Sequence, residues 1–172
     1  SYSCIIMLDM TIKQNLNWSD GKVYKLVWHD CDSFDEIKDK DLQQSYGVCF
    51  CDGKLVIGRG DNNKWGLIGG HIEKGETPEE ALEREAIEES NMKVLKQIPI
   101  GYQEVFNPDG TIDCQLRSFC IVKPIGEFVS DPAGSVTEIK LIDPKDYKRY
   151  FNWGKIGDRI MERATEIYNL NK

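Results

Sequence analysis

Basic residues are few in this sequence, histidines fewer, and long apolar runs absent. Lys and Arg together number 22 against 29 Asp and Glu, a net charge of −7. Proteins that hold a polynucleotide normally carry a basic footprint, so the balance argues against a nucleic-acid polymer as partner. It does not exclude a small phosphorylated ligand, because a bound metal ion can supply the positive charge. Six cysteines occur (Cys4, Cys31, Cys49, Cys51, Cys114 and Cys120), none in a Cys-x-x-Cys pair, with only His29 and His71 to join them. That spacing argues against a zinc centre. Cys49 and Cys51 alternate with apolar neighbours, as small buried strand residues do. The cysteine pattern suits a reduced, intracellular protein. No apolar run reaches the length that spans a bilayer, so no membrane partner is expected. The opening SCIIML has no basic lead and is too short for a signal peptide's apolar core. The expected location is the cytoplasm. The sequence has no internal repeat, low-complexity tract or Pro/Ser-rich linker. At 172 residues and 40% hydrophobic content it fits one domain with a proper core, or one domain with an attached hairpin.

Turn signals organise what is there. Asp20-Gly21, Asp52-Gly53 and Asp109-Gly110 each lie between β-prone runs, the strongest short-range hairpin signal. Around the first, Ile12, Leu16 and Trp18 face Tyr24, Leu26 and Trp28 in period two. YGVCFC pairs with KLVIG around the second, and QIPIGYQEVF with LRSFCIV around the third. VTEIKLI makes a further strand. Thr77 caps a helix, with Pro78 at its first position and Glu80 completing a capping box. Ala81, Leu82, Ala86 and Ile87 supply the apolar face of that helix. Ile156, Ile160, Ala164, Ile167 and Tyr168 define a second amphipathic helix, preceded by a helical turn at Asp143-Pro144. Residues 31–44 are polar, with Ser33 and Glu36 able to cap one weak helix. Hairpins with two inserted helices give a layered α+β domain. Residues 1–44 read as an N-terminal hairpin extension, packed on or appended to a domain over 45–172.

The stretch GGHIEKGETPEEALEREAIEESNM, residues 69–92, carries eight glutamates. Residues three and four apart share a helix face, so Glu85, Glu88 and Glu89 point together beside Arg84. Like charges so placed cost each other roughly 0.2–0.5 kcal/mol per pair. A solvated helix face would intersperse cations, and between Lys74 and Lys93 only Arg84 occurs. A hard divalent cation removes the repulsion, and carboxylates with a backbone carbonyl suit Mg²⁺ or Mn²⁺.

Gly70, five residues, Glu76, seven residues, Arg84-Glu85, Ala86, one residue and Glu88-Glu89 resemble the Nudix box. Six of its seven fixed residues are present at the right spacing. At common residue frequencies such a match arises by chance on the order of once in ten million start positions. The flanks agree: a hairpin and the strand WGLIGG precede the box, and a long antiparallel pair and a helix follow it. The resemblance implies an α/β/α sandwich with a mixed sheet over residues 45–169. Three positions depart from the family pattern. Asn91 replaces the final Gly where a left-handed backbone is wanted, which Asn tolerates best after Gly. Ala86 is smaller than the usual aliphatic residue, and Ile68 stands where many members have Pro.

The family hydrolyses the pyrophosphate bond of a nucleoside diphosphate linked to another group. By resemblance, Glu85, Glu88, Glu89 and the Gly69 carbonyl hold Mg²⁺ or Mn²⁺. Arg84 orients the carboxylates, and Glu76 ties loop to helix. Arg59 or Lys64 flanks the loop as a phosphate contact. The general base is Glu85, Glu88 or a loop acid among Glu127, Asp131 and Glu138. His71 reads as a partly exposed structural residue. Trp65, Tyr102, Phe106, Phe119 and Trp153 are aromatics able either to stack on a base or to fill the core. Asn152, in YFNWGKI, resembles a purine-reading Asn, with an N-cap as the competing role. The substrate implied is a small nucleotide such as a non-standard or oxidised triphosphate, with ADP-ribose or a nucleotide sugar as the alternative. A non-catalytic nucleotide-sensing module is the alternative of another class. A homodimer is compatible with the sequence.

Overall fold

The computed structural model describes residues 10–129 and 135–172. Its strands are β1 (Thr11–Asn17), β2 (Val23–Asp30), β3 (Leu42–Cys51), β4 (Lys54–Gly60), β5 (Trp65–Gly66), β6 (Ile68–His71), β7 (Met92–Phe106), β8 (Ile112–Pro124) and β9 (Val136–Ile142). The helices are α1 (Pro78–Ser90) and α2 (Gly154–Leu170), with 3-10 turns at Phe34–Ile37 and Pro144–Arg149. One mixed sheet runs β1-β2-β7-β8-β3-β4-β5, with β6 also on β3 and β9 also on β4. Among the described residues only β3 and β8 pair in parallel; the other pairs are antiparallel.

All three Asp-Gly turns close hairpins. In the first the register is Ile12↔Trp28, Gln14↔Leu26 and Leu16↔Tyr24, and Trp18 falls past the strand in the turn. The Ser33 side chain accepts from the Asp35 amide and starts a short 3-10 turn in place of a helix. The hairpin over 11–30 is continuous with the main sheet, because β2 pairs with β7. β3 begins at Leu42, so the 44/45 boundary falls inside a strand.

The helices cover opposite faces of the sheet. Ala81, Leu82 and Ala86 of α1 are fully buried, and Leu82 and Ala86 lie in a cluster with Cys49, Cys51, Val56, Ile68, Cys120 and Val122. Ile156, Ile160 and Ala164 of α2 pack against Leu26, Trp28, Val48, Phe50 and Phe119. This is the expected α/β/α sandwich. Ile87 is the exception to the expected apolar face: it is 48% exposed, one position round the helix from Ala86.

The end of α1 matches its sequence. Asn91 adopts φ 52° and ψ 41°, in the left-handed region, and its amide donates to the Ala86 and Ile87 carbonyls. Its side-chain Nδ2 also donates to the Glu127 carbonyl at 3.1 Å. Asn91→Gly is therefore expected to be close to neutral, since relief of backbone strain offsets the loss of one exposed hydrogen bond. Asn91→Val should cost roughly 1–2 kcal/mol, because a β-branched residue resists that conformation. Denaturant midpoints compare them, and equal stability of the two variants would refute the left-handed ending.

Candidate active site

The loop before α1 is built on two glycines. At Gly69, φ is 148°, and a Cβ would lie 2.2 Å from the Ser45 carbonyl oxygen. A Cβ on Gly70 would lie 2.6 Å from Glu85 Oε1. Both positions need the bare backbone: the first to pass β3, the second to admit a carboxylate against the chain. The helix is then started by a complete capping box, with the Glu80 amide donating to Thr77 Oγ1 at 3.1 Å and the Thr77 amide to Glu80 Oε2 at 2.9 Å. Ser45 Oγ donates to the Pro78 carbonyl at 2.9 Å and ties the helix start to β3.

Arg84 is the hub. Its Nε donates to Glu76 Oε1 at 2.7 Å and its Nη2 to Glu76 Oε2 at 3.2 Å. Nη1 donates to Glu85 Oε1 at 3.0 Å and to Glu88 Oε2 at 3.2 Å, and Nη2 also reaches the His71 carbonyl at 3.0 Å. The bidentate pair ties loop to helix, because Glu76 lies eight residues before Arg84. Its hydrogen bonds hold the Glu76 carboxyl below the usual carboxylate range and push the arginine further up. Glu89 is buried, and its Oε2 accepts from the Gly69 amide at 3.1 Å. Glu89 and Glu85 thus border Gly69 and Gly70, and Glu88 joins them through Arg84.

The donor set is all oxygen, which fits a hard divalent ion, and the bare Gly70 backbone leaves room for Glu85 against it. The side chains as they stand do not close on one point. Glu85 and Glu88 turn to Arg84 and Glu89 to the Gly69 amide, and no group of three His, Cys, Asp or Glu among the described residues has a metal-holding arrangement.

The other residues singled out from the sequence lie around this centre in different states. Arg59 is paired with Glu138 at 3.0 Å and sits over Trp65, 5.8 Å from its ring centre. Two of the candidates, one cation and one acid, therefore neutralise each other. Lys64 lies over Trp18. The Glu127 carbonyl is engaged by Asn91, and Asp131 and Cys4 lie outside the described residues. His71 is exposed at the end of β6, its carbonyl rather than its ring engaged by Arg84. Trp65 is half-buried, with Arg59 and Lys140 both near its ring and Tyr150 edge-on. Trp153 lies on Phe151 at 4.4 Å, and Tyr102 stacks on His29 at 4.6 Å. Phe106 is half-buried at the end of β7. Phe119 is fully buried beside Phe50, a core residue out of reach of a ligand.

Asn152 is not the N-cap in the strict sense, since Trp153 holds that position without a side-chain bond. Its Oδ1 nevertheless accepts from the Gly154 amide at 3.1 Å and does a cap's work one residue early.

The NUDIX domain model matches residues 41–163. The chain belongs to the NUDIX domain family. With the family comes the class of enzyme, a hydrolase acting on acid anhydrides in phosphorus-containing compounds. No curated protein matches the chain by sequence. Among solved structures, it is similar to a mutant of the Bacillus subtilis pyrophosphohydrolase BsRppH, at 17% identity and a TM-score of 0.68, over 89% of this chain and 96% of that one. A NUDIX hydrolase from Nitrosomonas europaea matches at 16% identity and a TM-score of 0.57, over 77% and 91%. A MutT NUDIX hydrolase from Burkholderia pseudomallei matches at 14% and 0.58, over 73% and 99%. At these identities the structural likeness speaks for the fold. No described helix of this Nudix chain is long and apolar enough to cross a membrane.

Proposed function

We propose that the chain is a divalent-metal-dependent pyrophosphohydrolase that cleaves a nucleoside diphosphate linked to another moiety and releases nucleoside monophosphate. A non-standard or oxidised nucleoside triphosphate is the substrate class we favour. The observation that carries the reading is the gathering of Glu85, Glu88 and Glu89 around Gly69-Gly70 and Arg84. Sensing modules of this fold usually lose the box carboxylates, and this chain keeps all of them.

In this reading Glu85, Glu88, Glu89 and the Gly69 carbonyl hold Mg²⁺ or Mn²⁺. The ion, when bound, neutralises phosphate oxygens and lowers the pKa of water. Arg84, anchored by Glu76, keeps the Glu85 and Glu88 carboxylates at the loop, and one of those two takes the proton from the attacking water. Arg59 contacts a phosphate by exchanging Glu138 for it. Five free thiols among the described residues support a reducing compartment, the cytoplasm.

The test is a metal-supplemented hydrolysis screen over nucleoside triphosphates, ADP-ribose and nucleotide sugars, reading monophosphate release. Nucleotide binding without release from any of them would replace this reading with the sensing one.

Asn152 is assigned to the base pocket through its amide nitrogen, its oxygen being engaged by Gly154. Asn152→Ala is expected to lower stability by about 1 kcal/mol through the lost cap. It should also raise KM for a purine triphosphate and leave metal affinity alone. Melting curves with unchanged purine kinetics would restrict Asn152 to the cap.

A further inference from the structure

Among the described residues the buried arginines are neutralised by carboxylates, with one exception. Arg159 and Arg163 share Asp30. Arg117, on β8, has no carboxylate partner among the described residues and is only 6% exposed. Its Nη1 donates to the Leu116 carbonyl and its Nη2 to Gln115 Oε1, each at 3.1 Å, while Nε has no hydrogen-bond partner. Burial pulls its pKa down to about 10, as expected for a cation removed from water without a counter-charge.

The sheet register says where this cation lies. Arg117 pairs with Tyr46 across β8 and β3, and Tyr46 pairs with Gly69 across β3 and β6. The three residues form one row, and the row ends at the glycine whose amide binds Glu89. The Arg117 guanidinium carbon lies 4.6 Å from the centre of the Tyr46 ring. Gln115 shares its face, and the Gln115 Oε1 also accepts from Gln103 Nε2 at 3.3 Å. Two amides and a guanidinium thus make a polar strip, and the same face continues into the apolar core at Phe119, Val48 and Phe50.

A lone buried guanidinium opposes folding, and two neutral acceptors do not compensate it. We propose that Arg117 is a substrate-binding residue whose guanidinium donates to an oxygen acceptor of the nucleotide, a phosphate oxygen or a carbonyl of the base. The proposal rests on the pyrophosphohydrolase reading of the adjoining site. Arg59 must leave Glu138 to serve a phosphate, whereas Arg117 has no carboxylate to leave and retains the full strength of a charge-assisted bond.

The test measures equilibrium binding of GTP, ATP and inorganic tripolyphosphate to the full chain in EDTA, where hydrolysis does not run. Wild type, Arg117→Met and Arg117→Lys are compared together with their melting temperatures. Arg117→Met is expected to weaken GTP binding about tenfold or more. It should leave the melting temperature equal or higher, because an apolar side chain replaces a desolvated charge. An equal loss for all three probes identifies the acceptor as a phosphate oxygen, and a loss confined to GTP identifies a base carbonyl. Unchanged affinities with a lowered melting temperature would make Arg117 a structural residue and overturn the proposal. So would a wild-type chain that binds none of the probes. Should the Met variant fail to fold, Arg117→Lys decides: it keeps the charge, loses the fork, and must still weaken binding. A failure of the hydrolase reading looks different, since wild type would then bind nucleotide and release no monophosphate when Mg²⁺ is added.

Discussion

Glu88→Gln is expected to reduce turnover by more than the roughly 100-fold typical of residues that merely support a metal ligand. The fold should survive. Glu88 is one of three carboxylates hydrogen-bonded to Arg84, which keeps Glu76 and Glu85, and Glu73 at 3.9 Å, when the charge is removed. A partly exposed ion pair of this kind contributes at most about 1 kcal/mol. Glu89→Gln should lose activity equally for a different structural reason. Its amide retains an oxygen that can accept from the Gly69 N–H, so the loop geometry persists while the charged ligand is gone. Glu89→Ala would do more damage, leaving a buried amide unpaired at a cost of roughly 1–3 kcal/mol. Turnover measured beside the melting temperature in EDTA separates these effects. Full activity in both glutamine variants would sink the assignment of these acids.

The largest stability effect is expected far from that loop. Asp30 ends β2 with a side chain that is 0% exposed. It accepts from Arg159 Nη2 at 2.6 Å and from Trp28 Nε1 at 2.7 Å, with Arg163 Nη1 at 3.5 Å and the Met10 amide at 3.0 Å. Asp30→Ala strands two guanidinium groups in the interior, a loss of about 3–5 kcal/mol for a broken buried pair. Glu162 and Asp32 remain as partly exposed partners for the arginines, which places the expectation near 3. For a chain of this length that corresponds to a melting temperature lower by roughly 6–12 °C. Burial pushes the Asp30 carboxyl up, but bonds from Arg159 and Trp28 and the charge of Arg163 outweigh it, so the pKa lies below the ordinary value. The unfolded chain then binds the extra proton first. The contribution is present above about pH 4 and is lost as pH falls through the folded pKa. Asp30→Ala should therefore also flatten the acid limb of the stability curve. A loss under 1 kcal/mol would show that the β1–β2 hairpin is held by other contacts.

Features that depend on neighbours in the chain were legible before any fold was known. Thr77, Pro78 and Glu80 start α1 as their order implies, Asn91 ends it left-handed, and each Asp-Gly closes its hairpin. The box spacing alone brought Glu85, Glu88 and Glu89 to one side of a helix. Turns, caps and helix faces are set within a few residues, so local chemistry suffices.

What depends on strands distant in sequence emerges only when the sheet is assembled. Nothing local requires β2 to lie beside β7 or β3 to run parallel to β8, and those pairings put Asp30 under α2 and Arg117 level with Gly69. They also turn Arg59 to Glu138 through β4 and β9, taking up a cation that looked available in the chain. Ile87 looked apolar enough to be buried, but the face of α1 against the sheet carries Leu82 and Ala86 and leaves Ile87 48% exposed. A carboxylate or guanidinium has the same valence wherever it stands; its partner is chosen by the approach of backbones far apart in sequence, which no short pattern records.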